Sequence, residues 1–460
     1  MLNQMPATFS SYPDAPSVKT ELPGPRSKEI LDVQNELETL SRTYTSFFPV
    51  AIAEGRNSSI RDMDGNVFVD WFAGVCVINL GHANPLVVNA MRGQLEAISH
   101  INEMPVPART SFLKTLNSTL PGDLRNNSRT MFTVTGADAC EAAVSLARHV
   151  TGRRTIVAFG GAYHGVHGGI IGATANRHYR EYASLPSYGV HHLPYPYTYR
   201  FPYSVREGDE SKSVVDTLEY LIRDTSSGPD SIAGVLVEPV QGEGGYIVPP
   251  PDFLPMLREV TEKHSIPLIV DEVQSGVGRT GRIWASEHSS ITPDIMCISK
   301  AIGGGIPNSM ITYRREYDED LPPGFHLGTY RGNPIALAAG DAILKHLKES
   351  NTLSRVSKVG ARVKAHFEEI ASGSRSIGEV RGLGFMIGVE LVEDRKSRAP
   401  SQSAARSLRD RLFRKGVLMH TCGHYGNVMR FMAPLTIEDE LVGRGLEIFD
   451  SSLREVESEM

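Results

Sequence analysis

Four short apolar runs constrain this chain more than any other feature. Ile156-Val157-Ala158-Phe159, Ile232-Ala233-Gly234-Val235-Leu236-Val237, Pro267-Leu268-Ile269-Val270 and Ile295-Met296-Cys297-Ile298 are each bounded by Gly, Pro, Asp or Glu. Continuous apolar runs of this length read as strands buried on both faces. Helix-length segments lie between them, such as 252–264, where Phe253, Leu254, Leu257 and Val260 fall on one side. Alternation of this kind predicts an α/β fold with a mainly parallel sheet covered by helices on both faces.

At 460 residues the chain has room for about three domains and for a core that needs no disulfide or metal staple. Residues 1–45 are polar and carry Pro13, Pro16, Pro23 and Pro25, and they read as an extended arm with one short helix near 27–40. Residues 46–105 are expected to form the N-terminal part of a small domain and a linker, and 106–335 the large ligand-binding domain. A smaller α+β domain is expected at 336–460. Its elements would be helices at 335–349, 352–371 and 403–415, a strand-like stretch at 384–392 and a closing apolar-periodic segment at 436–456.

Composition removes several classes of function. Fifty-three acidic against 47 basic residues leave a charge of -6, the wrong sign for a nucleic-acid binder that works by neutralising phosphates. No run of about 18 apolar residues offers a membrane span. Cys76, Cys140, Cys297 and Cys422 are scattered, with no C-x-x-C pair or histidine spacing suited to zinc, so no metal is expected and the thiols read as reduced. The first residues, among them Gln4, Pro6, Ser10 and Asp14, show neither the basic start nor the apolar run of a signal peptide, and a cytoplasmic location is the expectation.

Ligands of open α/β sheets bind beyond the carboxyl ends of the strands. Three of the apolar runs end in an ionisable residue: Glu238, Asp271 and Lys300. A lysine beside a buried strand is costly to desolvate, which favours the neutral amine that condenses with aldehydes. Gly303-Gly304-Gly305 follows it and permits close backbone approach. Asp271 stands 29 residues upstream, the length of one strand-crossover-strand unit. An amine and a carboxylate facing one crevice meet the needs of pyridoxal phosphate, whose aldehyde takes the amine and whose ring nitrogen needs an anion. A phosphate site is expected where Thr135-Gly136-Ala137-Asp138 opens a helix, with Asp138 turned away from the anion.

The stretch from Val270-Asp271-Glu272 through Gln274-Ser275-Gly276 to Arg279-Thr280-Gly281, followed by Ser299-Lys300-Ala301, closely resembles the signature of class III pyridoxal-phosphate aminotransferases. Glu238-Pro239-Val240-Gln241-Gly242-Glu243-Gly244, Ala162-Tyr163-His164-Gly165, Gly328-Thr329 with Gly332-Asn333-Pro334, and Arg381-Gly382-Leu383-Gly384 are similar to blocks of that family in the family's order. The resemblance implies fold type I of the pyridoxal-phosphate-dependent transferases. It also implies transfer of an amino group from a small-molecule donor to a 2-oxo acid. Lys300 would be the Schiff-base lysine and proton shuttle, and Asp271 the partner of the ring nitrogen. Gln274 would bond the ring hydroxyl, Tyr163 would stack on the ring with His164 and Glu238 beside it, and Thr135, Gly136 and Ala137 would hold the phosphate. Thr329 would reach the neighbouring subunit's phosphate, which makes a homodimer, or a dimer of dimers with shared sites, the expected assembly.

For the substrate, the resemblance implies that Arg430 clamps the α-carboxylate and that Glu243 pairs with it when the donor brings no carboxylate there. Trp71 and Phe72 would line the substrate pocket or pack in the core. Where 4-aminobutyrate and ornithine aminotransferases carry an arginine for the distal carboxylate, this chain has Val166, then His167. Arg331, Arg200 and His167 are the candidate replacements. Diaminobutyrate aminotransferases and related racemases also lack that arginine, so a diaminobutyrate- or 4-aminobutyrate-like donor is expected, with a racemase or epimerase as the rival and a non-catalytic relative as a second one. His164 and His167 have no third ligand nearby for a metal, and the aromatic-proline stretch 194–203 reads as a rigid surface loop or subunit contact.

Overall fold

The computed structural model describes residues 9–181 and 189–460, and the chain divides into two compact units, Asn89–Arg355 and a second that joins the segment up to Val88 to Val356–Met460. The first unit is built on a sheet of β1 (Ser128–Thr133), β2 (Thr155–Phe159), β3 (Val190–Leu193), β4 (Ile232–Val237), β5 (Leu268–Asp271), β6 (Ile295–Ile298) and β7 (Ser309–Arg314). Their spatial order is β1-β7-β6-β5-β4-β2-β3. Pairing is parallel from β6 through β5, β4 and β2 to β3, and β7 runs antiparallel to both β1 and β6. Every strand except β7 therefore ends at the same edge.

All four apolar runs are strands of this sheet, β2, β4, β5 and β6, and their residues alternate between two cores as a pleat requires. Val157, Phe159, Val235, Val237, Leu268 and Val270 share one core with Val214, Leu218, Phe253 and Leu257. Ile156, Ala158, Leu236 and Ile269 share the other with Ala139, Ala142, Ala143 and Leu146. Around the sheet lie α1 (Pro107–Thr119), α2 (Gly136–Thr151), α3 (Glu210–Arg223), α4 (Phe253–Lys263) and α5 (Pro334–Glu349). Thr135 caps α2 by accepting the Asp138 N–H at 3.2 Å, and Gly152 ends it with a φ of 65°.

This unit runs on to Arg355 and does not end at 335, because α5 packs on α1. Asp341 on α5 accepts from Ser111 Oγ at 2.7 Å and Thr115 Oγ1 at 2.5 Å. Gly340 makes the approach possible, since a Cβ there would lie 2.7 Å from the Ile302 carbonyl oxygen and 2.8 Å from the Phe112 ring.

In the second unit, Ile52–Arg56, Ser59–Asp62 and Val67–Asp70 form an antiparallel meander to which Val417–Leu418 adds in parallel. A second antiparallel sheet runs in the order Ile377–Leu383, Met386–Leu391, Val428–Phe431, His420–Cys422. Helices Gln402–Arg414 and Asp439–Glu459 lie within three residues of the predicted ones. Strand Ile377–Leu383 is absent from the sequence reading because Glu379 and Arg381 break its apolar pattern; Arg381 is paired with Glu379 and, at 2.7 Å, with Glu390 across the hairpin.

The described part of the 1–45 segment is tied down in this unit. Ser17 bridges to Val67, and Asn66 Oδ1 accepts the N–H groups of Lys19 and Thr20. The expected short helix is Pro25–Leu37; it starts at a proline suited to the first helical position, and Asp64 accepts the N–H groups of Arg26 and Ser27 at 2.8 Å each. Among the described residues no helix is long and apolar enough to cross a membrane.

Gly340→Ala tests the α1–α5 contact. In an open helix this change stabilises by up to about 1 kcal/mol; here overpacking reverses the sign, with an expected loss of about 1–3 kcal/mol. A lower denaturant midpoint at unchanged slope would show it.

Candidate active site

Strand ends and one helix start bring the predicted side chains together in the first unit. A cavity of ≈ 210 Å³ is lined by Thr135, Gly136, Ala137, Tyr163, His164, Glu238, Glu243, Asp271, Gln274 and Lys300, together with Cys140, Gly165, Val166, His167 and Val273. Thr135, Gly136 and Ala137 open α2, where the first backbone N–H groups have no intrahelical acceptor. A Cβ at Gly136 would lie 2.9 Å from Val273 Cγ1, so only glycine lets the helix start come this close. Asp138 is drawn off by its neighbours, accepting the Val134 N–H at 2.8 Å and lying 2.7 Å from His326 Nε2.

Asp271 ends β5 and is buried. Its Oδ2 lies 2.7 Å from His164 Nδ1 and accepts from the Cys140 thiol at 3.3 Å, while Oδ1 accepts the Val273 N–H at 2.9 Å. Cys140, His164 and Asp271 form the three-ligand cluster one would inspect for a metal. The 2.7 Å contact is instead a direct hydrogen bond, shorter than the ~3.3 Å that two ligand atoms keep around a tetrahedral zinc.

Glu238, one residue beyond β4, accepts the N–H groups of Tyr163 at 3.0 Å and Gly242 at 2.8 Å. Burial raises its carboxyl from the ordinary 4.5 to about 7; His164 and the two N–H donors oppose the rise, and the nearby Asp271 carboxylate adds to it. Lys300 follows β6 with a φ of 52°, a left-handed backbone that costs a residue with a Cβ about 1–2 kcal/mol. It opens the turn Lys300–Gly303 and faces the same cavity as Asp271.

The lining fits a flat, charged ring compound with a phosphate. Gln274 Oε1 and His164 Nε2 are buried at the cavity without a hydrogen-bond partner, and an anion, an amine and a helix start are set around one small space. Tyr163 lies against Tyr179, with ring centroids 5.0 Å apart.

Three predicted residues stand elsewhere. Thr329 lines a different hollow of ≈ 700 Å³ with Asn102, Glu103, Met104, Pro105, Leu327 and Gly328. Arg430 belongs to the second unit, buried on Val428–Phe431 opposite Gly388 and His420. Trp71 is also in that unit and packs in its core, the second of the two places the sequence left open: its ring is wholly buried, meets Phe431 edge-on at 4.9 Å and lies over Gly445, where a Cβ would come within 2.1 Å. Phe72 packs edge-on against Tyr44 at 5.2 Å. Of the candidate replacements for the distal arginine, His167 lines the cavity. Arg331 lies 3.8 Å from Asp138, and Arg200 lies over Tyr199 at 5.2 Å.

Cys140, which the sequence reading took only as one of four reduced core or near-site thiols, and the Val273 N–H, which it did not name, both bond Asp271. The i, i+4 spacing from Gly136 marks Cys140 as facing the same way as the helix start. The Val273 amide carries no mark in sequence at all.

Comparison with known proteins places this geometry. The class III aminotransferase family matches residues 39–453. The diaminobutyrate–2-oxoglutarate aminotransferase of Rhizobium meliloti (strain 1021) is 38% identical over 419 residues, covering 89% of each chain. The alanine/serine racemase of Pyrococcus horikoshii is 32% identical, covering 97% of this chain and 96% of its own. An amine transaminase from an uncultivated Pseudomonas species, solved with pyridoxal phosphate bound, superposes with a TM-score of 0.82 at 28% identity over 96% of this chain and 99% of that one. This chain belongs to the class III aminotransferase family.

Proposed function

We propose that the chain is a pyridoxal-phosphate-dependent aminotransferase that takes an amino group from a diaminobutyrate- or 4-aminobutyrate-like donor and gives it to a 2-oxo acid. The observation that carries this reading is the placement of Lys300 and Asp271 on one small cavity closed by the start of α2. When bound, pyridoxal phosphate supplies an electron sink for the bonds to the donor carbon that bears the transferred amine. Asp271 holds an anion against the ring nitrogen and so keeps its proton in place. Lys300 Nζ would accept the proton that leaves the donor carbon bearing the transferred amine, and the free N–H groups at Gly136 and Ala137 would donate to the phosphate. Gln274, with Oε1 unpartnered, takes the ring hydroxyl.

The donor follows from charge. Val166 offers a carboxylate no partner and Glu243 repels one, which favours a donor whose far end is an ammonium. His167 is then the side chain toward which a dicarboxylic acceptor such as 2-oxoglutarate directs its second carboxylate, since Lys300 and His164 are already engaged. Function as a homodimer is part of this reading, supported by Met104, Leu327 and Tyr330, which are exposed around Thr329. A cytoplasmic place of work agrees with four buried cysteines that form no disulfide. The rival racemase reading draws on the 32%-identical Pyrococcus relative.

Single-enantiomer amino acids and ω-amines, incubated with the cofactor-loaded protein without acceptor, should convert the cofactor to its aminated form with one equivalent of oxo product, diaminobutyrate fastest. Inversion of configuration on chiral chromatography without oxo product would overturn the reading in favour of a racemase, and a Lys300→Ala variant that keeps full activity would remove both. With His167→Leu, the KM for 2-oxoglutarate should rise while that for pyruvate stays.

Glu238 adds a pH dependence. Below about 4.5 its carboxyl is neutral in both folded and unfolded chains; between there and about 7 the folded protein alone keeps the proton, so stability falls as pH rises through that window. Thermal midpoints of the cofactor-free protein should fall from pH ~5 to ~7.5. Glu238→Gln, neutral throughout, should flatten the slope even though its amide leaves one of the two N–H donors unmatched.

A further inference from the structure

We propose that Cys140 is a positioning residue whose thiol orients the Asp271 carboxylate and draws off part of its charge. The inference rests on the reading of Asp271 as the partner of the cofactor's ring nitrogen. The carboxylate takes donors from three separate elements: Cys140 on α2, His164 in the loop after β2, and the Val273 N–H in the turn after β5. Two of them meet on Oδ2, and the thiol is one of those two. Without it, His164 still holds Oδ2 and the Val273 N–H still holds Oδ1, but Oδ2 loses its donor on the α2 side and keeps more of its charge.

The thiol is a donor at every pH the protein meets. Its contact with Cys297, complete burial and the nearby Asp271 together hold it well above the usual thiol range, so it stays protonated. Its neighbours explain the residue type. Cys140 sits on α2 in a core cluster with Ala137, Ala139, Ala143 and Val144, where its neighbours on the helix are mostly small. Alanine would fill the place about as well and give no hydrogen bond. Cysteine and serine combine small size with a donor.

The test compares Cys140→Ala, Cys140→Ser, Asp271→Asn and the double variant Asp271→Asn/Cys140→Ala, each reconstituted with excess pyridoxal phosphate. The readouts are the cofactor dissociation constant by equilibrium dialysis and the pH midpoint of the bound cofactor's absorption change. A weak donor to a charged acceptor predicts a three- to tenfold rise in the dissociation constant, roughly, for Cys140→Ala, with a shifted midpoint. Cys140→Ser should stay within about twofold of the unmodified protein. In the Asp271→Asn background the alanine change should have no further effect, as a coupling carried by that carboxylate requires. Equal effects of alanine and serine, an alanine effect that survives without Asp271, or no alanine effect at all would each overturn the proposal. If Asp271→Asn itself leaves dissociation constant and spectrum unchanged, it is the reading of Asp271 that fails. Should the alanine variant not fold, Cys140→Val, which fills the space without donating, takes its place.

Discussion

A carboxylate at the end of a strand buried on both faces is held only where donors reach it, since an unpaired buried charge costs several kcal/mol. Asp271 is such a group, and much of the first unit is arranged around satisfying it. The donors come from α2, from the loop beyond β2 and from the turn beyond β5, so all three must end at one edge of the sheet. Parallel order delivers this. The register pairs Asp271 with Cys297 on β6, which sets Lys300 three residues further along the neighbouring strand's exit.

The same neighbourhood concentrates negative charge. Asp271 and Glu238 are both buried near His164, and burial of the second carboxyl is relieved by holding its proton up to about 7. Such a site favours a ligand that brings a positive centre to Asp271 and a negative one to the start of α2, some way off along the cavity wall. Lys300 lines the same cavity in a left-handed conformation, a strain that the packed turn around Ala301 and Ile302 holds in place. Rigid strands, not loops, therefore set the relative positions of amine, carboxylate and helix start, although the reactive groups themselves lie just past the strand ends.

Sequence periodicity located the strands of the first unit where their residues are uniformly apolar, and it failed where the second unit's strands carry charge. Ile377–Leu383 is a strand because Arg381 finds Glu390 across a hairpin, a partner nine residues away that no local pattern indicates. Trp71 is a residue the sequence left open between pocket wall and core, and the absence of a side chain at Gly445 lets its ring sink fully into the core. At the site, the residues legible in advance were those whose chemistry is unusual for their place, namely Lys300, Asp271 and Glu238 at the ends of apolar runs, and Thr135-Gly136 ahead of a helix. Cys140 was legible only as one of four scattered thiols, with nothing to set it apart from Cys76, Cys297 and Cys422.

By itself, the sequence determined the α/β class, the strand ends from which the chemistry is drawn, and the uncharged Val166 where a distal arginine was expected, because each is a local property of residue type and spacing. Tertiary structure decided the rest: that α5 belongs with α1, that Thr329 lines another hollow, and that His167 and not Arg331 or Arg200 reaches the cavity. It also decided which donors meet on Asp271. These depend on contacts between residues more than a hundred positions apart, and such contacts exist only once the sheet has fixed where each strand ends.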